Sequence, residues 1–152
     1  MSQIRIRDAT VTDLESLCAL LAQLADAGAA VPAGPGEVAA LEAMLQTPGL
    51  RLLVAEQDDG RVLGTLTIVV VPNLSHGARP WAQLENMVVE AGVRGSGAGK
   101  RLMDEALETV QAAGCYKVQL QSANRRSGAH AFYEREGFSA SSRGYRRYLD
   151  AR

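Results

Sequence analysis

The chain has only two cysteines, Cys18 and Cys115, in 152 residues. They lie far apart, without CxxC spacing and without a neighbouring histidine. That argues against a metal centre and against a disulfide, and fits reduced thiols in a cytoplasmic protein. Formal net charge is −1. A balance so close to zero creates no field that would gather nucleic acid or an anionic membrane, so neither is an expected partner. A small molecule or a protein remains as substrate. The longest apolar run, Thr65 to Val71, is too short to cross a bilayer. The opening MSQIRIRD has no apolar signal core. No repeat, low-complexity tract or linker divides the chain, so 1–152 is expected to be one domain.

What the sequence does have is clear periodicity. IRIR (4–7) alternates as a half-buried strand does. Leu14, Leu17, Cys18, Leu21 and Leu24 fall at helical spacing, with Thr12 and Glu15 as a capping box and Gly28 as the stop. A second helix is predicted over 37–46, ended by Pro48 and Gly49. Strands are predicted over 50–57 and 62–71, joined by an Asp-Gly turn, and over 81–89. A helix over 101–114, a strand over 115–122, a helix over 127–137 and a strand over 145–149 complete the order. This order predicts an α+β fold: a mixed, mostly antiparallel sheet flanked by helices, not a doubly wound one.

The stretch VRGSGAGKR (93–101) joins a strand to a long helix. A Walker A loop fails here, because Arg94 stands where its first glycine belongs and Arg101 where its hydroxyl residue belongs. The dinucleotide pattern GxGxxG fails from Gly95 and from Gly97. What remains is a helix N-terminus with free amides and a partial positive charge, suited to a pyrophosphate. Gly95, Gly97 and Gly99 permit close approach, and Arg94 and Lys100 are candidate counter-charges.

Arg94-x-x-Gly97-x-Gly99 after an apolar strand, followed by AHAFYEREGF (129–138), resembles the GNAT superfamily of N-acetyltransferases. The resemblance covers essentially the whole chain and is strongest at 84–138. It implies the GNAT-type acyl-CoA fold, acetyl-CoA as cosubstrate, no metal, and transfer to a small-molecule primary amine by direct attack in a ternary complex. The backbone of Met87, Val88 and Val89 would meet the pantetheine arm. Arg94, Gly95, Ser96, Gly97, Ala98, Gly99 and Lys100 would hold the pyrophosphate. Tyr133 matches the family's tyrosine that protonates the departing thiolate. Many members carry Asn seven residues before that tyrosine, where this chain has Arg126, so Asn124 is the candidate for the contact. Gln121 stands where peptide-acetylating members often place a glutamate base, which argues against a peptide acceptor. A homodimer is the assembly that the resemblance suggests. Acetylation of a protein lysine or N-terminus, and a non-catalytic acyl-CoA-binding domain, stay open as alternatives.

Acetylation of an amine needs a base, an oxyanion donor and an acid. Glu85 is the candidate base or ammonium contact. Strand alternation places it on one face with Met87 and Val89, apart from any bulge. The amide of Val88 is the candidate oxyanion donor. The loop PNLSHGARPWAQ (72–83) offers Asn73, His76, Arg79 and Trp81 as candidate substrate contacts. Neither cysteine has the partner an acyl-enzyme would need.

Overall fold

A computed structural model describes residues 2–24 and 32–150. Its elements are β1 (Ile4–Asp8), α1 (Leu14–Leu24), α2 (Pro35–Gln46), β2 (Leu50–Gln57), β3 (Val62–Val71), α3 (Ser75–Ala78), β4 (Trp81–Val89), α4 (Ala98–Ala112), β5 (Val118–Leu120) and α5 (Ser127–Arg135). One sheet runs β1-β2-β3-β4-β5. The first four strands are antiparallel and β5 lies parallel to β4. The α+β expectation therefore holds.

Both faces of the sheet are covered. Leu53, Leu66, Ile68, Ala82 and Leu84 pack with Leu102, Met103, Ala106 and Val110 of α4. On the other face, Leu52 and Val54 pack with Leu17 of α1 and Leu41 of α2. The period-2 alternation of β2 and β3 supplies apolar residues to both sides, and the 3.6-residue spacing of α4 supplies its matching stripe.

Three local expectations are corrected. The helix entry is capped at Thr10 and Asp13, not at Thr12 and Glu15: the Thr10 amide donates to the Asp13 carboxylate at 2.8 Å. Asp13 prevails because Arg7 on β1 donates to both its oxygens, at 2.8 and 2.9 Å, which satisfies a carboxylate that is only 5% exposed. The strand expected over 115–122 contracts to Val118–Leu120, because the chain leaves β4 after Leu120. No strand forms at 145–149. Tyr145 and Leu149 are 84% and 91% exposed there, with no described strand beside them. The stop expected at Gly28 lies outside the described residues.

Arg7 also bonds Glu56, and these contacts hold the Asp13 and Glu56 carboxyls below their ordinary range; hydrogen bonds from Arg7 are the main cause in both. Carboxyls depressed in the folded state stabilise it above their unfolded value of about 4 and lose that contribution as pH falls through the folded value. Melting temperature is therefore expected to drop below about pH 4. Asp13→Asn is expected to cost about 2–3 kcal/mol at pH 7 and to flatten that acid limb, as measured by urea unfolding against pH.

Candidate active site

The centre of the site is an irregularity in β4. Thr65 pairs with Val88 and Thr67 with Glu85, so Asn86 and Met87 together oppose Leu66. This is a β-bulge, and Asn86 takes φ 53°. Asparagine tolerates that left-handed conformation better than other residues with a side chain. The bulge reverses the alternation of the strand. Met87 and Val89 join Ala82 and Leu84 on the α4 face. Glu85, paired with Thr67, stays on the α1–α2 face. The expectation that Glu85 shares a face with Met87 and Val89 is thereby corrected. Glu85 is exposed and accepts from Gln83 Nε2 at 3.0 Å. Gln83 Oε1 in turn accepts from Gln119 Nε2 at 2.9 Å.

Beside the bulge the sheet opens. β5 pairs only with Ala82, Gln83 and Leu84. From Glu85 to Val89, β4 has no described strand on that side, which leaves a backbone edge facing a gap. Phe132 and Tyr133 of α5 pack at the margin of the α4-side core. The Tyr133 ring lies edge-on to Phe132 and Phe138, with centroids 5.5 and 6.0 Å away. Burial pushes the Tyr133 phenol above its ordinary value, so it remains protonated at neutral pH.

β4 then leads into the glycine loop. Gly95 and Gly97 have φ of 86° and 90°, and Gly97 caps α4. Only glycine adopts these angles without strain. The Ser96 amide donates to Val93 at 3.1 Å and the Ala98 amide to Ser96 Oγ at 3.4 Å. The amides of Gly95, Gly97, Gly99 and Lys100 have no acceptor among the described residues. They lie at the positive end of a 15-residue helix. A Cβ on Gly99 would stand 3.6 Å from Val89 and 3.7 Å from Met87, so the helix start packs directly on the strand it follows.

The family model described as "Acetyltransferase (GNAT) family" matches residues 18–138. The chain belongs to the GNAT acetyltransferase family. It is 32% identical to glucosamine 6-phosphate N-acetyltransferase of Trypanosoma brucei brucei over 141 residues, covering 92% of each chain. It is 29% identical to aminoalkylphosphonate N-acetyltransferase of Salmonella typhimurium, covering 93% of this chain and 88% of that one. Among solved structures, an acetyltransferase from Trypanosoma brucei superposes with a TM-score of 0.83 at 32% identity, covering 97% of this chain and 100% of that one.

In this GNAT enzyme several expected contacts lie elsewhere. Asn73, His76, Arg79 and Trp81 stand at the start of β4, about 25 Å of strand from its loop end. His76 stacks on Tyr116 with centroids 3.9 Å apart. Arg79 donates to the carbonyls of Gly114 and Cys115 at 3.2 and 3.1 Å. His76, Gly77 and Ala78 form a left-handed turn, with Asn73 donating to the Ser75 and Arg79 carbonyls across it. Asn73, His76 and Arg79 are engaged in closing the β3–β4 connection, while Trp81 opens β4 opposite Val71 with Lys117 Nζ 5.6 Å from its ring, four residues before the gap begins at Glu85. Lys100 is paired with Asp104 and Glu136, Arg101 donates to the Ile4 carbonyl at 2.8 Å, and Arg94 is exposed. Among the described residues, the loop's unpaired donors are thus its amides and the Arg94 guanidinium. Asn124 is exposed in the turn before α5. Arg126 donates to the carbonyl of Leu24 and so ties the end of α1 to the start of α5.

Sequence reasoning missed Asn86 and Arg126. For Asn86 the signal was there: a turn-forming residue in the middle of an apolar strand. For Arg126 there was none, because its partner is a backbone atom 102 residues away.

Proposed function

We propose that the chain transfers an acetyl group from acetyl-CoA to the primary amine of a small molecule, by direct attack in a ternary complex. One observation carries this reading: an unpaired strand edge at a β-bulge runs straight into a cluster of unpaired amides at a helix N-terminus. That arrangement suits a long thioester with a pyrophosphate at one end. Gly95, Gly97, Gly99 and Lys100 hold the pyrophosphate through their amides. The gap-side backbone groups of Met87 and Val89 hold the pantetheine arm, and one of their amides meets the thioester oxygen. The Val88 amide expected in that role faces Thr65 on β3, since the Glu90 amide two residues on donates to the Leu63 carbonyl at 2.8 Å. The cosubstrate supplies an activated acetyl carbon.

The other groups manage protons. Glu85, on the opposite face and beside Thr67, removes a proton from the ammonium directly or through water, since only the free amine is a nucleophile. Tyr133, kept protonated by burial, returns a proton to sulfur. The new C–N bond forms as the C–S bond breaks. One proton leaves with the base, one arrives at the thiol, and the products are an amide and free CoA. The names of the relatives support a small amine as acceptor.

The test is initial-rate kinetics with both substrates varied and CoA thiol release measured. Intersecting reciprocal plots are expected. Parallel plots would mean an acyl-enzyme and overturn the ternary mechanism.

A further inference from the structure

Between α1, α2 and the adjoining sheet face lies a cavity of about 160 Å³. Leu17, Cys18 and Leu21 from α1, with Leu41 and Met44 from α2, form its walls. Leu52, Thr65, Thr67 and Asn86 form its floor. Thr65 donates its hydroxyl to the Leu53 carbonyl at 2.8 Å, so the floor is less polar than its residues suggest. Among the described residues, Glu37 is the one charged side chain in the lining, and no cation lines it. Its carboxylate accepts from the Gly34 amide at 2.9 Å, which fixes it at the start of α2. Its charge is felt at the cavity wall: burial chiefly, and then Glu37, push the Cys18 thiol above its ordinary value. Asn86 is the bulge residue, so the cavity adjoins the strand segment assigned above to the acetyl group.

We infer that this cavity receives the body of the acceptor, and that the acceptor is a primary amine on an apolar body, aryl or short alkyl, without a phosphate. This rests on the N-acetyltransferase reading above. A hydrocarbon-lined cavity of about 150 Å³ admits a benzene ring, so the volume suits a phenyl group or a short chain. The amine end lies at Asn86, toward Glu85 and the acetyl group, and the Glu37 charge at the wall disfavours an anionic group on the part of the acceptor that fills the cavity. A phosphorylated amino sugar would bring a dianion toward the Glu37 carboxylate with no lysine or arginine among the described lining residues to offset it, and would press hydroxyls against leucines. The same residues therefore favour one class and reject the other.

The test compares kcat/KM for 2-phenylethylamine, n-hexylamine and D-glucosamine 6-phosphate at fixed acetyl-CoA. The apolar amines are expected to exceed the sugar phosphate by at least about tenfold. Ala40, exposed on α2, also lines the cavity, so Ala40→Phe narrows it without entering the core. That variant is expected to lower kcat/KM for 2-phenylethylamine about tenfold and to leave the Kd for acetyl-CoA unchanged. Independently of turnover, 2-phenylethylamine is expected to slow alkylation of Cys18 by iodoacetamide and not that of Cys115. Faster turnover of glucosamine 6-phosphate, an unaffected Ala40→Phe, or unprotected Cys18 would each overturn the inference and leave the acetyltransferase reading standing. If acetyl-CoA binds and no amine is acetylated, the reading itself falls and takes the inference with it.

Discussion

Tyr133→Phe is expected to lower kcat by about a hundredfold while leaving the Kd for acetyl-CoA unchanged. The ring packs against Phe132 and Phe138 at the edge of the core, and phenylalanine keeps those contacts. Only the hydroxyl is lost. Its burial disfavours the phenolate, so it is a proton donor through neutral and mildly alkaline pH. A loss confined to kcat means that the hydroxyl acts after binding. Rapid-mix measurement of thiol release, with binding followed separately by calorimetry, distinguishes this from a packing defect. A variant with full kcat would remove Tyr133 from the mechanism.

The second large effect concerns a residue that touches no substrate. Gly64 on β3 faces Val89 across the β3–β4 pair. A Cβ there would lie 2.9 Å from the Val88 carbonyl oxygen, 3.2 Å from Leu102 and 3.3 Å from Val89. The nearest atom is backbone, so the strand itself must move. Gly64→Ala is expected to cost about 2–3 kcal/mol by overpacking and to raise KM for acetyl-CoA, because the displaced segment is the one assigned to the thioester. Gly36→Ala is the control. It lies in α2, has no neighbour within 4 Å of an added Cβ, and is expected to stabilise the fold by about 0.5–1 kcal/mol. Thermal melting and acetyl-CoA titration on the two variants give both readouts.

The course of β2, β3, β4 and α4 was legible in the sequence because each carries a strong period of its own. The glycine loop was legible because Gly95 and Gly97 take positive φ, which no other residue adopts as readily. Other features depend on partners distant in sequence. The cap at Asp13 is decided by Arg7 on β1, not by the spacing of Thr12 and Glu15. The face of Glu85 is decided by one extra residue at Asn86, which turns a correct strand assignment into a wrong side-chain direction. The β3–β4 connection looked like a substrate loop because its residue types suit ligands. In the fold, His76 and Arg79 are held by Tyr116 and by the carbonyls at the end of α4. The acceptor cavity was not legible, since helical leucine spacing in α1 signals a buried face without saying how completely it is filled.

The β4 edge and the loop after it are proposed to form one seat for acetyl-CoA. Backbone amide hydrogen exchange with and without acetyl-CoA tests it directly. New protection is expected at Met87–Val89 and at Gly95–Lys100, with none at Asn73–Trp81. Protection confined to the β3–β4 connection, or saturable binding that leaves Gly95–Lys100 unprotected, would contradict it.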